Sequence, residues 1–246
     1  GGFMKSILVK RLESSFYAFR MTLERFIESY EKFIEMYNSG MVYISKKVDV
    51  YDLLDDGNVE KLAYLVEKDD VWEFSSKEFK ATFIRDLRHD LGELKSLRDI
   101  WAGIDCDPKL AEFKVQLTTN PIMKGKKVIV FTESKETAQY LRDNLEDIYA
   151  DRLVNYCGQS TQALKAEIED SFNPKFIDKG NDKYDLLITT DVLAEGVNLH
   201  LANVLVNYDL PWNPTRIMQR VGRINRVGSA YDRIYVFNCF PTAQSN

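Results

Sequence analysis

Val128-Ile-Val-Phe131 is an unbroken apolar run, and what surrounds it decides the fold. From Lys135 to Tyr149 the apolar positions recur at helical spacing, Leu153 to Cys157 is again strand-like, and Gln162 to Phe172 is again helical. Asp185-Leu-Leu-Ile-Thr189, Val204-Leu-Val-Asn207 and Ile234-Tyr-Val-Phe237 continue the series. Strands that are apolar at every position are covered on both faces, and strands that alternate with helices pair in parallel. The fold class predicted is α/β with a parallel sheet. Ligands of such sheets gather beyond the carboxyl ends of the strands, so the loops beginning at Thr132, Thr189 and Asp209 are the ones to watch.

Upstream the grammar differs. Phe16, Phe19, Leu23, Phe26, Ile27, Tyr30, Phe33, Ile34 and Tyr37 follow the three-and-four spacing of one helix face, and Asn38 to Gly40 stops it. Phe79, Phe83, Leu87, Leu91, Leu94, Leu97 and Trp101 form a second stripe, so two long antiparallel helices are expected, with a shorter helix and loops over the acidic stretch 49–70. Asp107-Pro108 reads as a cap followed by proline in the first helical turn, opening a helix toward Thr119. The division predicted is a helical region, 1–106, ahead of an α/β domain, 107–246.

Of the 246 residues, 45% are hydrophobic and 29% charged, which is enough to build a core, and the net charge of -5 excludes a uniformly basic surface. Cys106, Cys157 and Cys239 are odd in number and fit neither a disulfide framework nor a zinc pattern, which points to a reducing cytoplasm. No apolar run reaches the roughly 18 residues of a membrane span, so no membrane partner is expected. His89 and His200 lack metal-ligand neighbours at suitable spacing, and no metal site is expected.

Between Leu210 and Tyr231 there is no acidic residue, yet Arg216, Arg220, Arg223 and Arg226 fall there. With Pro214 in the first turn of a helix, 100° per residue sets these arginines and Gln219 on one side, with Ile217, Val221 and Ile224 beside them toward the core. Guanidinium forks at that spacing suit phosphate oxygens. They also suit carboxylates: Asp191, Glu195 and Asp209 are the candidates for ordinary ion pairs, and spacing does not choose between the two. Gly222 leaves room for close approach by a ligand or another backbone.

Gln219-Arg-Val-Gly-Arg-Ile-Asn-Arg-Val-Gly228 resembles the last conserved motif of superfamily-two helicases. Thr190-Asp-Val-Leu-Ala-Glu-Gly-Val-Asn198 resembles the preceding one, Val128 to Ser134 the motif that opens the second RecA-like lobe, and Gly158 with Phe172-Asn173 the segment between. Tyr208-Asp-Leu-Pro-Trp-Asn-Pro214 and Glu195-Gly-Val-Asn198 are similar to the Swi/Snf group, and most to its bacterial RapA-like members. Gly222 and Ser229 depart from chromatin remodellers, which carry Asp and Gln there. The helical region then corresponds to the insertion between lobes, with Lys10-Arg-Leu-Glu-Ser-Ser15 as its entry.

The resemblance implies the C-terminal RecA-like lobe of an ATP-dependent DNA helicase or translocase. Arg223 and Arg226 are the implied arginine fingers, with Gln219, Gly196 and Asn198 toward the nucleotide and Ser134, Thr190 and Thr132 toward strand phosphates. ATP with Mg would be held mainly by an N-terminal RecA-like lobe that this chain does not contain. Its nearest phosphate-loop candidate, Gly125-Lys-Lys127, lacks the first glycine and the Ser or Thr, and reads as a basic turn before a strand. Alone, the chain is expected not to hydrolyse ATP. Duplex DNA is the favoured partner and RNA the alternative. A docking module that kept the fold without the motor is the competing class, and Trp212 is expected to pack rather than stack on a base.

Overall fold

The computed structural model describes residues 2–47, 65–68, 70–158, 160–175, 182–194, 197–211, 213–225, 229 and 231–240. Two compact units emerge, Thr22–Ile104 in one and Gly1–Met21 with Asp105–Asn246 in the other. Residues 1–21, which the sequence division at Asp107 sets with the long helices, group here with the sheet, to which Lys109 ties the end of the first helix.

In the smaller unit, the greater part of α2 (Phe16–Asn38) lies beside α3 (Ala81–Ala102). Asn38 accepts a hydrogen bond from Arg88, and Glu31 pairs with Lys95, a register that rises in one helix as it falls in the other, so the two are antiparallel as expected. Gly40, at φ +102°, supplies the left-handed turn that ends α2. The chain then forms β1 (Met41–Ile44), paired antiparallel with β2 (Trp72–Ser75), two strands that the stripe reading did not contain. Phe33, Tyr37, Phe74, Phe79 and Phe83 meet edge-on or stacked and make this unit's aromatic core. The expected helix within 49–70 falls mostly outside the described residues.

The larger unit opens with α1 (Gly2–Ser14) and resumes with α4 (Pro108–Thr119), whose cap Asp107 accepts from the amides of Lys109 and Leu110. After a turn with Gly125 at φ +68°, the chain runs through β3 (Val128–Phe131), α5 (Lys135–Tyr149), β4 (Leu153–Tyr156), α6 (Gln162–Phe172), β5 (Leu186–Thr189), β6 (Val204–Asn207), α7 (Pro214–Ile224) and β7 (Tyr235–Asn238). All pairings in this sheet are parallel, in the order β4-β5-β3-β6-β7. The α/β reading and its parallel sheet hold.

Alternate strand residues supply two cores. Val128, Val130, Leu186, Ile188, Val204 and Val206 pack with Leu110, Phe113 and Leu117 of α4 and Ala138, Leu141 and Leu145 of α5. Ile129, Phe131, Val154, Leu187 and Leu205 pack on the other face with Ile168 and Phe172 of α6 and Ile224 of α7. Helices on both faces explain why no strand residue of β3, β5 or β6 is polar until Thr189 and Asn207.

The sheet order fixes where a ligand would sit. β3 connects to β4, on one side of it, whereas β6 connects to β7 on the other, so the crevice between the ends of β3 and β6 is the switch point of this sheet.

Candidate functional site

Phe131 is level with Thr189 on one side and Asn207 on the other, so three segments leave the sheet abreast. Backbone bonds continue the alignment one residue further, from Thr132 N to Thr189 O at 3.0 Å and from Tyr208 N to Phe131 O at 2.9 Å. Beyond them lies an open cleft of about 510 Å³, walled by Glu133 and Ser134, by Asp209, Leu210 and Pro211, and by Lys10, Arg11 and Ser14 of α1, with Arg216 at its edge.

Asp209 is the hub of the cleft floor. Its carboxylate, 7% exposed, accepts from the Thr132 hydroxyl at 2.7 Å, from the Glu133 amide at 2.6 Å, and from the Ser14 hydroxyl. Ser134, also buried, caps α5: its Oγ accepts from the Thr137 amide at 3.2 Å and donates to Glu136 at 2.8 Å. Glu133 lies between two cations, 2.7 Å from Lys10 and 3.4 Å from Arg216.

α1 is held against this floor by Lys109. Its Nζ donates to the last two carbonyls of α1, Glu13 at 2.7 Å and Ser14 at 2.9 Å, and sits 4.1 Å from the Tyr208 ring centre. A cation at a helix C-terminus satisfies carbonyls that have no partner within the helix. Burial pulls the Lys109 ammonium below its usual range, an effect opposed by Asp209 and other nearby carboxylates. Burial likewise pushes the Tyr208 phenol well up, reinforced by Asp107.

α7 starts at Pro214, where the Asn213 side chain accepts from the Thr215 amide at 3.0 Å. Its arginines do not share one environment. Arg220, 0% exposed, points inward: Nε meets Asp191 at 2.7 Å, Nη1 meets Asn207 at 2.8 Å and the Asp209 carbonyl at 3.3 Å, and the guanidinium lies 5.1 Å from the Phe131 ring centre. Arg216 is exposed and bridges Asp191 at 3.2 Å and Glu133. The expected one-sided display of four guanidinium groups is therefore corrected. Arg220 is four residues from buried Ile224 as well as from Arg216, so it belongs to both stripes, and the acceptors at the strand ends draw it inside. Asp191 holds two of the four arginines, and Asp209 serves one of them through its carbonyl rather than its carboxylate.

Gln219 is exposed on α7 and Arg223 half-buried at its last turn. The Leu199 amide donates to the Arg223 carbonyl at 3.3 Å, which seats the segment containing Asn198 against the end of the helix. Thr190 is buried where the chain leaves β5, its carbonyl accepting from the Leu193 amide at 3.2 Å. Thr132 and Ser134 are together at the cleft, with both hydroxyls used internally. Over Gly222 a Cβ would meet no described atom within 4 Å, so that face is open. Arg226, Gly196, Glu195 and Trp212 lie outside the described residues. Two participants were missing from the sequence reading, Ser14 and Lys109, and only their hydrogen-bond partners, far away in sequence, reveal them. No described group of His, Cys, Asp and Glu is arranged to hold a metal ion, and no described helix is long and apolar enough to cross a membrane.

Comparison with known proteins gives this geometry a context. The family profile of the helicase conserved C-terminal domain matches residues 111–228. An uncharacterized ATP-dependent helicase of Bacillus subtilis, YqhH, is 38% identical over 112 residues, 46% of this chain and 18% of that protein. The ATP-dependent RNA helicase DBP5 of Scheffersomyces stipitis is 31% identical over 134 residues, 51% of this chain and 25% of that one. The RNA polymerase-associated protein RapA of Cronobacter sakazakii is 43% identical over 61 residues, 24% of this chain and 6% of that one. Each match thus takes in a quarter or less of the relative's length. Among solved structures, the C-terminal part of the Fun30 ATPase domain has a TM-score of 0.44 at 19% identity, over 53% of this chain and 40% of that one. Dbp5 L327V of S. cerevisiae, bound to RNA and ADP BeF3, has a TM-score of 0.44 at 24% identity, over 56% and 34%. Residues 111–228, which match the profile of the helicase conserved C-terminal domain, hold four of the five strands of the parallel sheet.

Proposed function

We propose that this chain is the second half of an ATP-driven nucleic-acid motor, of Swi/Snf type and nearest the RapA-like branch, in which Thr22–Ile104 is the helical insertion between lobes. The observation that carries the reading is convergence: the loops after β3, β5 and β6 and the arginine helix, four blocks that resemble helicase motifs, meet at one switch point. Arg223 and Arg226 act as fingers on the phosphoryl group in transfer, Gln219 engages the nucleotide, and Gly196 and Asn198 shape the contact near the ribose. The exposure of Gln219 and the open face over Gly222 support this, because a triphosphate carried by a first lobe has to approach α7 from outside.

Exposed Gln219 and half-buried Arg223 fit the anionic end of ATP, while Asp191, Glu133 and Asp209 are committed to Arg216, Arg220 and the cleft floor, and no described carboxylates are grouped for a magnesium ion. The metal, which would neutralise phosphate charge, belongs with the first lobe, so this chain alone turns over no ATP. Thr132, Ser134 and Thr190, buried at the strand ends, shape the backbone that meets a nucleic-acid strand. Ser134 stands at the N-terminus of α5, where the helix dipole favours a phosphate, and such contacts set register without reading bases. Duplex DNA is the substrate we favour, in the cytoplasm. The resemblance to DBP5 proteins makes RNA the second reading.

In the protein joined to its first lobe, Arg223→Ala should cut nucleic-acid-stimulated ATP turnover by about a thousandfold, the order a finger contributes. Turnover within a few-fold of wild type would remove Arg223 from the mechanism. Stimulation of the wild type by RNA but not by duplex DNA would replace the substrate, and no turnover with either would favour a docking module.

A further inference from the structure

The break between α1 and α2 carries a buried string of hydroxyls. Ser15 Oγ accepts from the Ala18 amide at 3.0 Å and so caps α2. Ser15 Oγ and Ser14 Oγ each contact Thr137 Oγ1, at 2.8 and 2.7 Å, and Ser14 Oγ donates to Asp209. Ser14, Ser15 and Thr137 are 4%, 1% and 0% exposed, so water does not compete.

The direction of the string follows from its end. A carboxylate only accepts, so the single Ser14 proton goes to Asp209, and the Ser14 oxygen is left to accept from Thr137. The Thr137 oxygen in turn accepts from Ser15. Donation therefore runs one way, from the α2 cap through Ser15, Thr137 and Ser14 into Asp209, and bonds so aligned polarise and strengthen one another. On the far side the same carboxylate holds the Thr132 hydroxyl and the Glu133 amide, the loop that walls the cleft. Removing a hydroxyl from the string weakens or removes the Ser14 bond, one of the three that hold this carboxylate against the loop.

We propose that Ser14, Ser15 and Thr137 are positioning residues of the cleft. Through Asp209 they set the Thr132–Ser134 loop at the height needed to receive a backbone phosphate of a nucleic-acid strand. The ligand rests on the function proposed above; the coupling of the hydroxyl string to the loop does not.

Thr137→Val removes the hydroxyl and keeps the shape, Ser14→Ala breaks the next link, and Thr137→Ser restores the hydroxyl without the methyl. In this chain, amide hydrogen exchange should quicken at Glu133 by about tenfold in the first two variants and return to wild type in the third. The dissociation constant of a labelled DNA duplex, or of RNA of the same sequence, should rise about fivefold in the first two, as expected for one lost hydrogen bond, and recover in Thr137→Ser. Unchanged exchange at Glu133 in both Thr137→Val and Ser14→Ala overturns the proposal, as does a Thr137→Ser protein as impaired as Thr137→Val, which would make packing the cause. If wild type binds neither nucleic acid, the motor reading fails, and the exchange data still decide whether the string sets the loop.

Discussion

Arg220 is a guanidinium with no exposure, held by one carboxylate, one amide and one carbonyl at the ends of two strands. Its burial is tolerable only while Asp191 supplies the opposite charge, because an unpaired buried cation is far costlier than the pair is favourable. Asp191→Ala is therefore expected to destabilise the larger unit by about 3 kcal/mol in chemical denaturation, far more than loss of a surface ion pair. A loss under about 1 kcal/mol would mean that Asn207 and the Asp209 carbonyl suffice. Arg216 shares Asp191 but is half-exposed, so Arg216→Ala should barely register in the same measurement. Two arginines of one helix, identical in type and one turn apart, thus differ in what they do: one fastens the helix and the other edges the cleft.

Among the elements, Asp185 and Arg152 tie the start of β5 to that of β4 by a two-pronged bond, Nη2 to Oδ1 at 2.7 Å with Nε on Oδ2. The Arg152 hydrogen bonds hold the Asp185 carboxyl below its usual range against an opposing burial effect. A lowered carboxyl contributes stability that is complete above the unfolded-state value near pH 4 and is lost as pH falls through the folded value. The pair is partly exposed and screened, so Asp185→Asn should cost about 1 kcal/mol or less at pH 7 and nothing once the wild-type carboxyl is protonated. Melting curves of both proteins from pH 7 down to pH 2 would check this, and a gap that persists in acid would contradict it.

The elements were not equally legible. α5, α6, β3 and β6 start and stop where their patterns say, since a strand buried on both faces can only be apolar and a helix between two such strands can only be one-sided. β1 and β2 escaped because each is short and only half-covered, and their pairing spans a long acidic stretch. α1 escaped because its apolar residues form no stripe; tertiary bonds such as those of Lys109 hold it. At the cleft, the loops were readable from the strand ends. The sense of Arg220 was not, because periodicity reports which side a residue faces and not what acceptors wait there.

For the molecule as a whole, charge is unequally shared. Thr22–Ile104 carries 18 acidic and 12 basic residues, against 20 and 21 in the remainder of the chain. In the proposed motor, a polyanion would be drawn to the sheet-bearing unit, where Lys10, Arg11 and Arg216 edge the cleft and would exchange their carboxylate partners for phosphates. Two or three such exchanges would give a shallow salt dependence, with log affinity falling at a slope of about -2 to -3 against log salt. A titration series between about 50 and 200 mM salt giving a slope near zero would argue against any backbone contact at these residues.

The order of the strands has a consequence for synthesis. β3 is the first strand of its sheet to leave the ribosome, yet Val128 finds its neighbours only in Leu186 and Val204. β4, which emerges next, bonds to β5 and not to β3. Contacts so distant along the chain form slowly, so the nascent polypeptide holds β3 unpaired until β5 has been made, and bare on one side until β6 follows. Translation that stalls just before Val204 leaves a product whose central strand has one bare edge, ready to stick to its own kind.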